Sequence, residues 1–154
     1  MHQDPFFRRD DDFEGRCLSK VAERTTNAVI ITDVERRIQW VNDAFVRMTG
    51  YRSEEVIGRS PGAILQSEET DPETVRVMHD AFSRGEGCRV EIINRGKNGD
   101  RYWLDLDIQP FLNASGELAG FIGVESDVTP QIESRERLEV AERRLRMTVE
   151  GTDL

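Results

Sequence analysis

Hydrophobic and polar positions repeat with two different periods along this chain, and the switches between them mark out its elements. Residues 27–33 (NAVIITD) form a β-branched run, and RIQWVN follows the short charged turn DVERR, which predicts a hairpin. DAFVRMTG then reads as one or two helical turns, with Asp43 placed to cap it and Gly50 to stop it. In the next stretch Ser53 begins SEEV, which fits a capping box one residue longer or shorter, and Gly58 ends that helix. GRSPGAILQSEETD reads as a loop, because Pro61 and Gly62 interrupt helical propagation. Asp71-Pro72-Glu73 starts a longer helix, and Val75, Met78, Ala81 and Phe82 form its apolar stripe as far as Gly85. Three β-type runs follow, at 88–95, 101–110 and 118–127. The turns KNGD and NASGE separate them, so they predict an antiparallel meander.

The expected order is β-β-α-α-α-β-β-β, an α+β domain over 26–129 with a helix on either flank. Residues 1–12 are polar and acid-rich and are expected to fray. Over 13–25, Phe13, Cys17, Leu18, Val21 and Ala22 recur at helical spacing and predict a short amphipathic helix. At the other end Pro130 suits the first turn of a helix over 130–150. Along that helix Leu138, Ala141, Leu145 and Thr148 step by three and four residues, with Val149 beside them and Glu and Arg around. Such a seam serves a linker helix in a homodimer, or else it folds back onto the sheet.

Composition narrows the function classes. The chain has 154 residues and a net charge of −9, with no basic face free of acids, so nucleic acid is not an expected partner. No apolar run approaches the roughly 20 residues a membrane helix needs, and the N-terminus does not read as a secretory signal. Cys17 and Cys88 have neither metal spacing nor a disulfide framework, so a reduced, cytoplasmic setting is expected and a metal site is not. There is no Ser/His/Asp or Cys/His arrangement, no phosphate loop, and few histidines for proton transfer. The expectation is a regulatory domain rather than an enzyme.

Several motifs together carry a family likeness. ITDVERRIQWVNDAFVRMTGYRSEEVIGRSPGAILQ, EIINRGKNGDRYWLDLDIQP and GFIGVESDVT resemble the PAS fold, and within it the light-oxygen-voltage, flavin-binding branch. The likeness covers about residues 24–129. It implies a five-stranded antiparallel sheet cradling a pocket, with short helices as its lid on one face.

That resemblance also implies site residues. Asn94 matches the first of two asparagines that hold the flavin ring in this branch, Leu104 stands where the second would be, and Glu125 replaces a glutamine in GVES. Gln66, which closes GRSPGAILQ, belongs to the same expected contact set. The photoactive cysteine is absent; its place falls on Pro61 or Gly62, which excludes a cysteinyl–flavin photoadduct there. The family's phosphate-binding arginines fall near Gly62 or Ala63 and at His79, which leaves Arg59 and Arg76 as candidate substitutes. The implied cofactor is FAD or FMN.

Each of these residues also has a plainer use. Asn94 is either a ligand contact or an amide tying down the KNGD turn, since a buried amide needs a partner in either case. Glu125 faces inward to a ligand, with desolvation raising its pKa, or outward by strand alternation. Trp40 and Trp103 flank a flavin or simply pack. His79 is a haem ligand or a residue beside an apolar stripe. Cys88 is structural, and Asp33 and Asn42 cap turns.

The resulting expectation is a flavin-binding sensory module. It would relay redox or light state through its last helix to a downstream histidine kinase or cyclic-di-GMP effector. The rivals are a ligand-free dimerisation and relay module, and a haem gas sensor through His79. The closing LRMTVEGTDL resembles the opening of another PAS repeat, with 151–154 as its start, so the chain is expected to belong to a larger signalling protein.

Overall fold

A computed structural model describes residues 26–151. The flanking helix expected over 13–25, Cys17, and residues 152–154 lie outside that range. Strands β1 (Ala28–Asp33) and β2 (Ile38–Val41) form the predicted hairpin. Four helices follow: α1 (Asp43–Thr49), α2 (Ser53–Val56), α3 (Pro61–Leu65) and α4 (Pro72–Ser83). Then come β3 (Cys88–Arg95), β4 (Arg101–Leu112), β5 (Leu118–Asp127) and a long helix, α5 (Thr129–Gly151).

The five strands form one antiparallel sheet in the order β2-β1-β5-β4-β3. The hairpin and the meander therefore meet along β1–β5, strands from opposite ends of the domain. Gly120 permits that contact. A Cβ there would lie 2.0 Å from the Thr32 carbonyl and 2.9 Å from the Phe111 ring, distances no side chain tolerates.

Alternate residues on each strand point to one face, where the core lies. Ala28, Ile30, Ile38 and Val41 pack against Phe45, Val56 and Leu65 of the first three helices. Ile92, Tyr102, Leu104, Leu106, Ile108 and Phe121 pack against Met78 of α4. The helical layer is pinned at several points. Lys97 N–H bonds the Thr49 carbonyl at 2.8 Å, Thr70 Oγ1 bonds the Ile93 carbonyl at 2.9 Å, and Glu69 pairs with Arg95 and Arg101.

Three local expectations need correction. GRSPGAILQ is not all loop: Pro61 occupies the first position of α3, where its missing N–H costs nothing, and the helix lasts little more than a turn. Asn42 rather than Asp43 caps α1, its Oδ1 accepting from Phe45 N–H at 3.0 Å and from Val29 N–H at 2.9 Å. The second of these bonds also ties α1 to β1. In α2 the capping residue is Arg52, one before Ser53, with Glu55 reaching back to its N–H at 2.9 Å. Gly50 stops α1 in the left-handed conformation (φ 76°), and Asp33 Oδ1 holds the β1–β2 turn by accepting from Glu35 and Arg37 N–H, both as expected.

The last helix leaves the sheet within its first two turns, where Arg135 pairs with Glu91 of β3 at 3.5 Å. Ile132 is its buried residue, and positions 133–151 are exposed, including Leu138 and Leu145. It does not fold back on the sheet. Among the described residues no helix is long and apolar enough to cross a membrane.

Candidate functional site

Between the sheet and the helices lies a cleft with about 600 Å³ of space outside the atoms, part of it open to solvent. Its cavity volume is about 90 Å³, below the roughly 300–1,000 Å³ typical of sites that hold a drug-sized ligand. Its floor is the sheet: Ile30 and Thr32 of β1, Leu106 and Ile108 of β4, and Phe121, Gly123 and Glu125 of β5. Its wall comes from Pro61, Gly62 and Gln66 in and after α3, and from Met78, His79 and Phe82 of α4. Ser60 and His79 are exposed at the rim, and Arg36 reaches it from the β1–β2 turn.

Three buried polar groups lie on the interior face of the sheet, and Glu125 is the one that lines the cleft. Glu125 is 2% exposed, and burial pushes its carboxyl pKa up to about 8, so it is mostly protonated at neutral pH. A protonated carboxyl offers one O–H donor and an acceptor oxygen, the same capacities an amide has. Glu125 Oε2 has no hydrogen-bond partner, and neither do the equally buried Asn94 Oδ1 and Tyr102 hydroxyl. Burial, and then the carboxylates of Glu125 and Asp127, push the Tyr102 phenol up. Asn94 pairs with Tyr102 across β3–β4, and Glu125 pairs with Leu106 across β4–β5, so all three side chains share the interior face. A buried polar atom left unpaired costs about 1–3 kcal/mol. Three on one face match a ligand with a polar edge of donors and acceptors.

The structure sorts the expected site residues. Glu125, Gln66 and His79 line the cleft; Asn94 lies farther along the same face, 5% exposed. Leu104, fully buried, puts an apolar surface where the resemblance implies a second asparagine. Pro61 and Gly62 both line the cleft, so the place of the photoactive cysteine is occupied by residues without a nucleophile. Cys88 sits half-buried in the core, where desolvation and Asp107 raise its thiol pKa.

Three candidates fall away from the cleft. Trp40 pairs with Ile31, out of phase with the lining residues Ile30 and Thr32, so it lies on the opposite face of the sheet. Arg76 is exposed on α4 and held by Glu73 and Asp80. Arg59 is exposed, and its Nη1 donates to the Glu55 carbonyl at 3.5 Å. Periodicity alone could not show this, because one slip in strand phase moves a side chain to the other face. Trp103, in the same out-of-face phase on β4, contacts the root of α5 through its backbone.

Sequence reasoning missed two residues. Tyr102 was detectable by its phase with Leu104, Leu106 and Ile108. Arg36 was detectable as a side chain in a turn position that favours glycine. It is the non-glycine residue with positive φ among the described residues (φ 64°), and its guanidinium lies 5.2 Å from the Phe82 ring centroid.

Comparison with known proteins places this architecture. The PAS domain family matches residues 26–130. Phototropin-1A of Oryza sativa subsp. japonica is 34% identical over 130 residues, covering 82% of this chain and 14% of the relative. The blue-light-activated histidine kinase of Brucella anthropi is 31% identical over 122 residues, covering 77% of this chain and 25% of the relative. The chain thus spans a quarter or less of the length of these two relatives. A solved structure described as an RNA-binding light-oxygen-voltage receptor superposes with a TM-score of 0.75 at 28% identity, over 86% of this chain and 38% of that one. With the family spanning the whole sheet, its helical layer and the cleft between them, this chain belongs to the PAS domain family.

Proposed function

We propose that this chain is a sensory PAS module that binds a flavin, FAD or FMN, in the cleft and passes the flavin's state to an effector through α5. The observation that carries the reading is the set of unpartnered buried atoms Asn94 Oδ1, Tyr102 Oη and Glu125 Oε2 on one interior face. An isoalloxazine edge alternates hydrogen-bond donors and acceptors, which this set fits. Likeness to phototropin and to blue-light-activated histidine kinases supports the same ligand class. When bound, a flavin supplies redox chemistry and absorption of blue light.

The chain's own residues hold, orient and respond. Asn94 and protonated Glu125 each present a donor and an acceptor, and Tyr102 presents a hydroxyl on the same face. Ile30, Leu106, Ile108 and Phe121 keep water from the ring, which strengthens those polar contacts. A change in charge or protonation at the ligand alters what Glu125 must donate or accept. Asp127, Val128 and Thr129 connect Glu125 to α5 within a few residues. The signal is therefore a bias between two settings of the β5–α5 junction, set by differential affinity.

In this reading the exposed seam Leu138, Ala141, Leu145 and Thr148 pairs with a second copy, and the effector is of the histidine kinase or cyclic-di-GMP class. A cytoplasmic location goes with it.

The test is the absorption spectrum of the purified protein, followed by release and chromatography of any chromophore. A structured blue band that co-elutes with FAD or FMN is expected. A protein that stays colourless after incubation with both flavins would sink the reading, and a sharp haem band would transfer the site to His79.

A further inference from the structure

We infer that Arg36 is an anion-binding residue at the mouth of the cleft, which makes the cleft selective for a phosphorylated flavin over an unphosphorylated one. This deepens the flavin reading and rests on it.

The backbone supplies the first observation. The β1–β2 turn closes through Asp33 N–H to the Arg37 carbonyl at 3.0 Å and Arg36 N–H to the Asp33 carbonyl at 3.1 Å. This arrangement puts Arg36 in the left-handed region at φ 64°. Glycine adopts that conformation freely, whereas a residue with a Cβ adopts it at a cost. A bulky side chain held there by its surroundings points to a functional use.

Charge supplies the second. Acids outnumber bases in this chain, thirty to twenty-one, and the cations of the domain are widely matched to them. Arg37 pairs with Glu35, Arg52 and Lys97 with Glu55, Arg95 and Arg101 with Glu69, Arg76 with Glu73 and Asp80, and Arg89 with Asp105. Among the described residues no carboxylate forms an ion pair with Arg36, although it is half-buried. The acid lining the cleft is Glu125, which is buried at the floor.

Geometry supplies the third. Arg36 lines the same cleft as Glu125, and its guanidinium rests over Phe82, whose ring packs edge-on against Phe121 of the floor at 4.9 Å. An aromatic face fixes the plane of a guanidinium while leaving its N–H edges open. Gln66 and Ser60 line the same cleft and add uncharged donors. A guanidinium presents a fixed fork of donors that binds phosphate oxygens in pairs, with charge assisting the bonds. Arg59 and Arg76 lie outside the cleft, so Arg36 is the arginine in position for this role.

The test is titration of the purified chain with FMN and with riboflavin, followed by quenching of flavin fluorescence. Three variants accompany the unaltered protein. Arg36→Gln removes the charge but keeps the strained backbone, Arg36→Gly removes both, and Arg36→Lys keeps a charge without the fork. The unaltered chain is expected to bind FMN about tenfold more tightly than riboflavin, the scale of a charge-assisted hydrogen bond. That preference should shrink when salt is raised from ~50 to ~500 mM. It should vanish in both Arg36→Gln and Arg36→Gly, and survive in part in Arg36→Lys. Equal affinity for the two flavins in the unaltered chain would overturn the role of Arg36 while leaving flavin binding intact, as would a preference that persists in Arg36→Gln and Arg36→Gly. An unaltered chain that binds neither flavin would overturn both.

Discussion

Trp103 donates its backbone N–H to the Thr129 hydroxyl at 2.8 Å, and its carbonyl accepts the Val128 N–H at 2.9 Å. A residue near the start of β4 thereby holds the first residue of α5. Trp103 stands between Tyr102 and Leu104, both of which face the interior. A shift of β4 or β5 at the cleft therefore reaches the root of α5 without an intervening loop. Thr129→Val removes the hydroxyl and leaves the Trp103 N–H without its acceptor, at a cost of about 1 kcal/mol. Amide exchange in the first turns of α5 should quicken, and Thr129→Ser should restore it. Hydrogen exchange read by mass spectrometry decides, and unchanged exchange in Thr129→Val would remove this contact from the relay.

The buried carboxyl of Glu125 makes stability depend on pH. Its pKa is about 8 in the fold against 4.5 when free. Between those values the folded state holds a proton that the unfolded state has lost, so stability falls as pH rises. The slope over that window approaches ~1.4 kcal/mol per pH unit. Urea unfolding at a series of pH values should show this decline in the flavin-free protein, and Glu125→Gln should flatten it. A decline that persists in Glu125→Gln would have to originate in another group.

Stability and ligand binding should separate at Asn94. Asn94→Leu replaces a buried amide whose Oδ1 has no partner with an apolar group of similar size, which stabilises the flavin-free domain by about 1 kcal/mol. The same change should weaken flavin retention by about tenfold, since it deletes a polar contact. Thermal unfolding of the flavin-free form and a flavin titration report the two signs independently. A fall in both would mean that Asn94 is structural.

The β1–β5 seam has no room for a side chain at Gly120. In Gly120→Ala the Cβ meets the Thr32 carbonyl at 2.0 Å, which forces the two strands apart. A loss of about 3 kcal/mol or more is expected, the range of severe overpacking, and calorimetry measures it. Gly123→Ala serves as the control. Its Cβ finds Leu106 Cδ1 at 3.5 Å, an ordinary contact, and it should be tolerated.

Exposed apolar residues on α5 predict self-association. Leu138 is 60% exposed and Leu145 67%, on a helix whose other positions are mostly charged. The double change Leu138→Arg and Leu145→Arg should convert a dimer to a monomer in sedimentation velocity, with the unfolding of the sheet domain unchanged. A protein that sediments as a monomer before any substitution would remove the seam from dimerisation.

Much of this architecture is written locally. The β-branched run 28–33, the KNGD and NASGE turns, and Asp71-Pro72 each dictate backbone conformation within a few residues, through sterics, caps and turn chemistry. The hairpin, the meander, α4 and α5 were legible for that reason, and the family motifs added that the five strands form one antiparallel sheet. Asn94 and Glu125 stood out because a polar residue among Ile and Val needs a reason wherever the strand is buried.

The rest depended on contacts between distant residues. Trp40 faces away from the cleft because β1–β2 pairing sets it opposite Ile31, a register that no window of sequence contains. Arg76 is taken by Glu73 and Asp80 on its own helix, while Arg36, from a turn more than forty residues away from Phe82, rests on that ring. Asn42 and not Asp43 caps α1 because its carbonyl oxygen also serves the Val29 N–H of β1. By itself the sequence determined, α3 excepted, which of the described segments are strands and helices and which polar residues are unusual, since those follow from short-range backbone preferences and periodicity. Only the tertiary structure decided which of those residues share a cavity and which cation stands at its mouth, because side-chain direction and ion pairing follow from strand register and packing across the whole domain.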